Sequence, residues 1–306
     1  MKPPFVSRSS ACLISGLLLR ALSCLLAFGV STVIAADAKP KRLLIIGQGP
    51  DGHPPTTHEF MPGVRVLAEL LKPWKEISTT IVKADEPWPD GPKLLDGADG
   101  IALFVTQGAE WMQSDEKRFA AVKRLGARGG AISAFHWSVG AKDEKYIQGQ
   151  LAVLGGTRGG PQRKYIVQSG DLKRVAPQHP VLAGMKDFTT YDEFYYRLDL
   201  RPDIQPLYTV NLEGRDETIA WAWDRPDGGR SFGFVCLHFH GNWQMPEYRR
   251  FCTQGVLWTL KLPVPAGGVG TDIDSNHLAL DGVLPPIGGP AADKAAKDTR
   301  AKQLKK

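Results

Sequence analysis

Residues 42–47 read Arg42-Leu43-Leu44-Ile45-Ile46-Gly47, a short apolar run closed by a glycine. A half-exposed strand would alternate apolar and polar residues, so this run predicts a strand buried on both faces, as in a parallel sheet. A helical pattern follows, with Phe60, Val64, Leu67, Leu70 and Leu71 three and four residues apart on one stripe. Ile77–Val82 alternates as a second strand, and Gly100–Val105 is a third, apolar throughout. Ser114 is placed to cap a helix through Phe119, Val122 and Leu125 that stops at Gly129-Gly130. Gly130–Phe135 is the fourth strand. Further strands are expected over 164–168, 207–212, 218–223 and 231–238. A last helix is expected over 246–260, with Pro246 near its start and Phe251, Val256, Trp258 and Leu260 in the core. Strands alternating with helices predict an α/β fold with a mostly parallel sheet and right-handed crossovers. The strand-rich stretch from 160 to 240 predicts an antiparallel extension.

The chain has 306 residues, 42% of them hydrophobic, which suffices for a large core. Its net charge of +6 belongs to the ends: residues 1–20 carry +3, 267–288 carry −3 and 289–306 carry +4, leaving +2 on 21–266. A nearly neutral body argues against the clustered basic face that nucleic-acid binding needs. Residues 1–35 read as a secretory signal, with Lys2 and Arg8 before an apolar stretch and small residues near Ala35. Export to the periplasm or beyond is the expectation. Arg20 leaves an apolar run shorter than the ~20 residues a bilayer helix needs, so any membrane contact would run through an uncleaved signal. The folded domain is placed at 41–265. Residues 266–306, rich in Pro and Gly and then basic, are expected to form a disordered tail, with Ala/Lys-rich 291–306 at most a frayed helix. Cys12 and Cys24 fall in the signal. Cys236 and Cys252 are read as buried thiols, one on a strand and one on a helix, with a single disulfide as the alternative. No CxxC pattern supports a thiolate zinc site.

In open α/β sheets ligands bind beyond the carboxyl ends of the strands. Histidines recur there. His53 and His58, with Glu59, follow the first strand; His136 and Trp137 follow the fourth; His238, His240, Asn242 and Trp243 close the 231–238 region. A lone histidine at a strand end reads as a satisfied polar group. Recurrence at three equivalent ends predicts a pocket. If the strand continues through both, His238 and His240 share a side, a common metal-ligand spacing. A zinc-like divalent ion would then be held by His136, by His238 or His240, and by one of His53, His58 and Glu59. In Tyr191-Asp192-Glu193-Phe194-Tyr195-Tyr196 the adjacent carboxylates point opposite ways, so one of the two faces a pocket as base or sugar-hydroxyl acceptor. Trp137 and Trp243 are platforms for a sugar ring or plain core residues. The chain has no GxSxG elbow, no P-loop and no GxGxxG after the first strand.

At these residues the sequence resembles the ThuA-like (trehalose-utilisation) family. The resemblance rests on Gly52-His53-Pro54-Pro55-Thr56-Thr57-His58-Glu59, Phe135-His136-Trp137, His179-Pro180-Val181 with Asp192–Tyr196, and Thr218–Trp221. It continues through His238–Trp243 to Tyr248-Arg249-Arg250 and Gly255–Trp258. It implies a flavodoxin-like three-layer sandwich similar to class I glutamine amidotransferases. In those enzymes a cysteine occupies the elbow after a strand; here His136 stands in its place, His240 matches the later histidine and Asn242 replaces the acid. Without a thiolate no acyl-enzyme can form, so amidotransferase activity is expected to be absent. The family name implies disaccharide catabolism, and the family is associated with 3-keto sugars. The expectation is therefore a small carbohydrate substrate. Two readings remain. One is acid/base or metal-assisted catalysis by His136, His238 and His240, helped by Glu59 or by Asp192 and Glu193. The other is a non-catalytic carbohydrate-binding protein using the same pocket, with His53, His58, Trp137, Tyr195, Asn242 and Trp243.

Overall fold

The computed structural model describes residues 39–305, so the signal read in 1–35 lies outside it. Among the described residues eleven strands and seven α-helices follow in chain order. They begin β1 (Lys41–Gly47), α1 (Phe60–Leu71), β2 (Ile77–Lys83), α2 (Gly91–Gly97), β3 (Gly100–Phe104), α3 (Gly108–Gln113), α4 (Glu116–Ala127), β4 (Ala131–Phe135) and α5 (Ile147–Leu154). The second half holds β5 (Gly156–Thr157), β6 (Lys164–Arg174), β7 (Phe188–Tyr196), β8 (Asp199–Leu200), β9 (Gln205–Leu212), β10 (Arg215–Asp224), β11 (Arg230–Phe234), α6 (Pro246–Thr259) and α7 (Pro290–Gln303).

Nine strands form one sheet in the order β2-β1-β3-β4-β11-β10-β9-β6-β7, and β5 pairs with β8 apart from it. From β2 to β11 the neighbours are parallel. From β10 to β7 they are antiparallel. The parallel half has the flavodoxin-like order, with β11 as its fifth strand. All residues of β3 and β4 are buried, as their unbroken apolar runs require. Helices α1 and α6 pack together over one face, and α2 to α5 cover the other. Phe251 of α6 meets Tyr208, Phe232 and Phe234 edge-on at 5.1, 5.2 and 5.0 Å between ring centroids. That helix thus ties the parallel half to the antiparallel half.

Three expectations are corrected. The helix after Ser114 is capped by Asp115, whose carboxylate accepts from Arg118 N at 2.7 Å. The strand expected to run to His238 stops at Phe234. Its continuation is diverted because Val235 O accepts from a histidine ring, Leu237 N and His238 N donate to a buried carboxylate, and Leu237 has φ +86. Residues 266–306, expected to be disordered, include a short 3-10 turn at Ser275–His277 and the helix α7. They are held by docking onto the domain. Val269 N donates to Gln254 Oε1, Arg249 Nε to Thr271 O and Gly288 N to Asn242 Oδ1, each within 2.8 Å. Cys236 and Cys252 are buried free thiols. Cys252 lies on α6, and Cys236 lies just past the end of β11. Among the described residues no helix is long and apolar enough to cross a membrane.

The turn after β4 is crowded by backbone. Ala141 N donates to Arg158 O and Arg158 N to Val139 O, both at 3.1 Å. A Cβ on Gly140 would lie 2.1 Å from Arg158 O. Gly140→Ala must therefore displace main chain, and we expect it to cost about 1–3 kcal/mol, as overpacking does. Urea unfolding measures this; an unchanged midpoint would refute the crowding.

Candidate functional site

Three stretches of chain meet beyond the carboxyl ends of β1, β4 and β11, and β7 adds a fourth. His136 follows β4 at once, with φ +50, and opens a 3-10 turn (His136–Val139). His58, at φ +52, ends the loop after β1. His238 lies on the diverted segment after β11. Glu193 and Tyr195 project from β7 on the same side, two residues apart. His58 Nε2 is 3.0 Å from His136 Nε2, and His238 Nδ1 is 3.4 Å from it. Glu193 Oε2 lies 3.5 Å from His136 Nε2 and 3.6 Å from His238 Nδ1. The Tyr195 hydroxyl is 3.2 Å from His136 Nε2.

The protons on these rings can be placed. His136 Nδ1 is 2.8 Å from Val235 O, and a carbonyl only accepts, so Nδ1 carries the hydrogen and Nε2 presents a lone pair. His58 Nδ1 is 2.9 Å from Asp51 Oδ2, and His53 Nδ1 is 2.7 Å from Asp51 Oδ1. Burial pushes the Asp51 carboxyl up, but the hydrogen bonds from His53 and His58 outweigh it and hold it well below the usual carboxylate range. Asp51 is thus ionised, and His58 Nε2 also presents a lone pair. Burial, reinforced by neighbouring rings, lowers the pKa of His58, His136 and His238 and keeps them neutral. Two neutral imidazoles then point lone pairs at each other across 3.0 Å. The Tyr195 hydroxyl can donate to one of these lone pairs and not to both. A cation between them removes the repulsion. Tetrahedral zinc with bonds of ~2.0–2.1 Å has ligands about 3.3–3.4 Å apart, close to the separations here. His58, His136, His238 and Glu193 all place a ligand atom within 4.8 Å of one another. Asp51 and Val235 O are the outer partners that metal-binding imidazoles require.

The adjacent acids divide as their alternation requires. Glu193 lines a cavity of about 380 Å³ beside the histidines, with His53, Trp137, Tyr165, Tyr195 and His238. Burial raises its pKa to about 7, against a hydrogen bond from Tyr195 and the charge of Arg158. Asp192 faces away, fully buried. It accepts from Glu193 N (2.8 Å), Leu237 N (3.0 Å), His238 N (3.0 Å), Asn242 Nδ2 (3.1 Å) and the Tyr248 hydroxyl (2.6 Å). Burial pushes its pKa up and these bonds oppose it. Asp192 and Asn242 are internal supports, and neither lines the cavity.

Three other expected residues also lie apart from the cluster. His240 is buried, neither ring nitrogen makes a hydrogen bond, and burial lowers its pKa to about 4. It differs from His238 because the strand has ended: His240 begins a 3-10 turn, His240–Gln244. Trp243 is buried with an unpaired indole N–H. Glu59 accepts from Thr56 N at 3.0 Å and lines a different hollow, with Arg65, His277 and Asp281. Asp51, Lys142, Arg158, Tyr165, Asp293 and Lys297 were not foreseen. An acid inside a histidine-rich loop was a readable signal for Asp51. The others reach the cavity only through long-range folding.

A strained turn after the fourth strand of a flavodoxin-like sandwich presents a histidine beyond the sheet edge, where three other chain segments meet it. The sequence profile described as trehalose utilisation matches residues 52–259, and the chain belongs to this ThuA family. Membership relates it to trehalose utilisation in general terms. A ThuA-like protein of Parabacteroides merdae is 18% identical over 74% of this chain and 92% of its own, with a TM-score of 0.56. One of Bacteroides uniformis is 14% identical over 73% and 93%, also at 0.56. A glutamine amidotransferase of Thermotoga maritima covers 86% of this chain and 95% of its own, at 12% identity and a TM-score of 0.41. No curated protein matches the chain significantly.

Two outcomes are expected. Asp192→Asn replaces an acceptor by a donor among five donors and should cost about 3 kcal/mol or more in urea unfolding. His240 titrates near 6.5 when unfolded but near 4 when folded. Between those values the unfolded chain binds the extra proton, so this stability is complete above about pH 6.5 and is lost as pH falls toward 4. His240→Leu should flatten the stability–pH slope in that window by up to about 1.4 kcal/mol per pH unit. An unaltered slope would show that His240 is not held neutral.

Proposed function

We propose that this chain is an exported carbohydrate-processing enzyme acting on a keto-sugar of disaccharide origin. Its centre is the cluster His58–His136–His238 with Glu193, and the three imidazoles would hold a divalent, zinc-like ion. The observation that carries this reading is the pair of facing lone pairs on His58 and His136, with an open cavity beside them. The keto-sugar class comes from the family association. Export rests on the N-terminal sequence pattern.

A 3-keto-glycoside has an acidic hydrogen on the carbon between its carbonyl and its glycosidic carbon. Glu193, bordering the cavity beside the histidines, is the carboxylate placed to remove that proton. The Tyr195 hydroxyl has its pKa pushed well up by burial, so it stays protonated and donates to the developing enolate oxygen. Returned by Glu193 to the glycosidic oxygen, the proton completes a β-elimination that releases the second sugar. A bound divalent ion supplies Lewis-acid polarisation of the substrate carbonyl. Asp51 and Val235 O fix the rings, and Trp137 and Tyr195 give the sugar a flat wall.

Metal analysis of protein purified without an affinity tag should find about one divalent ion per chain, lost in His136→Ala. A content far below one would count against the metal. Proton NMR of a 3-keto-disaccharide in deuterated buffer should show exchange at the carbon beside the carbonyl. Glu193→Gln should slow turnover by about 10²–10⁴-fold, and His136→Ala should abolish it. His240→Leu should leave it within a few-fold. Sugar-dependent thermal stabilisation with no exchange or cleavage over hours would favour the binding-protein reading.

A further inference from the structure

We infer that the cavity beside the histidine cluster recognises a carboxylated sugar, such as a uronic acid residue, with the Arg158 guanidinium as the seat of the carboxylate. This rests on reading the cavity as the carbohydrate site and narrows it to an acidic class.

Arg158 is the exception among the buried arginines. Arg225 is saturated: it donates to Asp227, to Arg230 O, to Ser231 Oγ and to Gly130 O. Arg118 also has a partnerless Nε, but its terminal nitrogens pair with Glu86 and Ser114. Arg158 is only 9% exposed, yet among the described residues its side chain makes no hydrogen bond and no ion pair, and its buried Nε has no partner. Leaving a buried guanidinium unpaired is costly. Its position is nonetheless imposed, because the Arg158 backbone is clamped to Val139 and Ala141 immediately after the His136 turn. The guanidinium carbon lies 4.5 Å from the Trp137 ring centroid, 4.6 Å from Tyr195 and 5.5 Å from Tyr165. Aromatic packing holds the planar group still while leaving its edge to hydrogen-bond. That edge borders the cavity that also holds Glu193 and His238.

The surrounding charges leave the cavity with more cations than paired anions. Lys297 is matched by Asp293 at 2.7 Å. Glu193 belongs to the histidine cluster. Lys142, exposed at the rim, has no ion pair among the described residues and adds a second cation on the same wall. A carboxylate on the sugar pairs with the guanidinium by two parallel hydrogen bonds, a geometry that suits Arg better than Lys. The sugar ring then extends along Trp137 and Tyr195 toward His136.

Calorimetry on the full chain with methyl β-glucuronide, methyl β-glucoside and glucose 6-phosphate tests the inference. The glucuronide should bind at least about tenfold more tightly than the glucoside, as expected for a charge-assisted pair. Arg158→Gln should erase that preference, and Arg158→Lys should restore only part of it, with melting curves checking that both fold. Because the wild-type comparison needs no variant, a misfolded mutant does not spare the proposal. Equal affinity for both glycosides would overturn the acidic class and leave the carbohydrate site standing. Preference for the phosphate would overturn the carboxylate. Binding of neither glycoside would overturn the carbohydrate reading and this inference with it. An acid preference that persists in Arg158→Gln would overturn the role of Arg158.

Discussion

One buried carboxylate organises the site without lining its cavity. Asp192 gathers hydrogen bonds from β7, from the segment after β11, from Asn242 and from Tyr248 of α6. These groups come from parts of the sequence about fifty residues apart. Only an acceptor with two oxygens and a full charge can satisfy so many donors at one point. Its cost in desolvation is large, and it is met because each donor would otherwise be buried and unpaired. By seizing Leu237 N and His238 N, Asp192 ends the strand and turns the His238 ring toward His136. Asn242, fixed by the same carboxylate, accepts from Gly288 N and so anchors the C-terminal segment as well.

That anchoring explains why a Pro- and Gly-rich segment has structure. Composition correctly says that 266–306 cannot build a core of its own. It does not say that the segment cannot borrow one. Its hydrogen bonds go to α6 and to the turn after His240, and Gly241 has no room for a Cβ because Pro286 O lies 1.9 Å from where it would be. The docked segment then delivers α7 to the cavity, where Asp293 and Lys297 form part of the lining. The charge that composition assigned to a solvated tail is thus partly spent at the site.

What could be read from the sequence follows from how local each signal is. Apolar runs gave the buried strands β1, β3 and β4, and helical spacing gave α1 and α6. The sequence of 231–238 suggested one strand through His238, because the apolar run continues to Leu237. A tertiary hydrogen bond, invisible in a local window, overrides it. For the same reason His238 and His240 looked equivalent and are not. The convergence of His58, His136 and His238 was legible from the rule about strand ends. Glu193 was legible as one of two alternatives, and the fold decides between it and Asp192. Arg158 carries no local mark at all; its meaning lies in what it lacks, which only a three-dimensional inventory reveals.

The turn at His136 links this chemistry to the fold it inherits. A non-glycine residue at φ +50 is strained, and such strain persists where surrounding structure imposes it. The turn carries the His136 side chain out beyond the end of the sheet. Here it pushes out a ring nitrogen whose proton is fixed on the opposite side by Val235 O. A thiolate there would attack carbon; a lone pair there, matched by a second one from His58, can hold only a proton or a cation. The strained turn thus places an imidazole lone pair, not a carbon nucleophile, at this strand end. Asn242 is aimed at Asp192, so it supports the segment that carries His238 rather than a histidine ring itself.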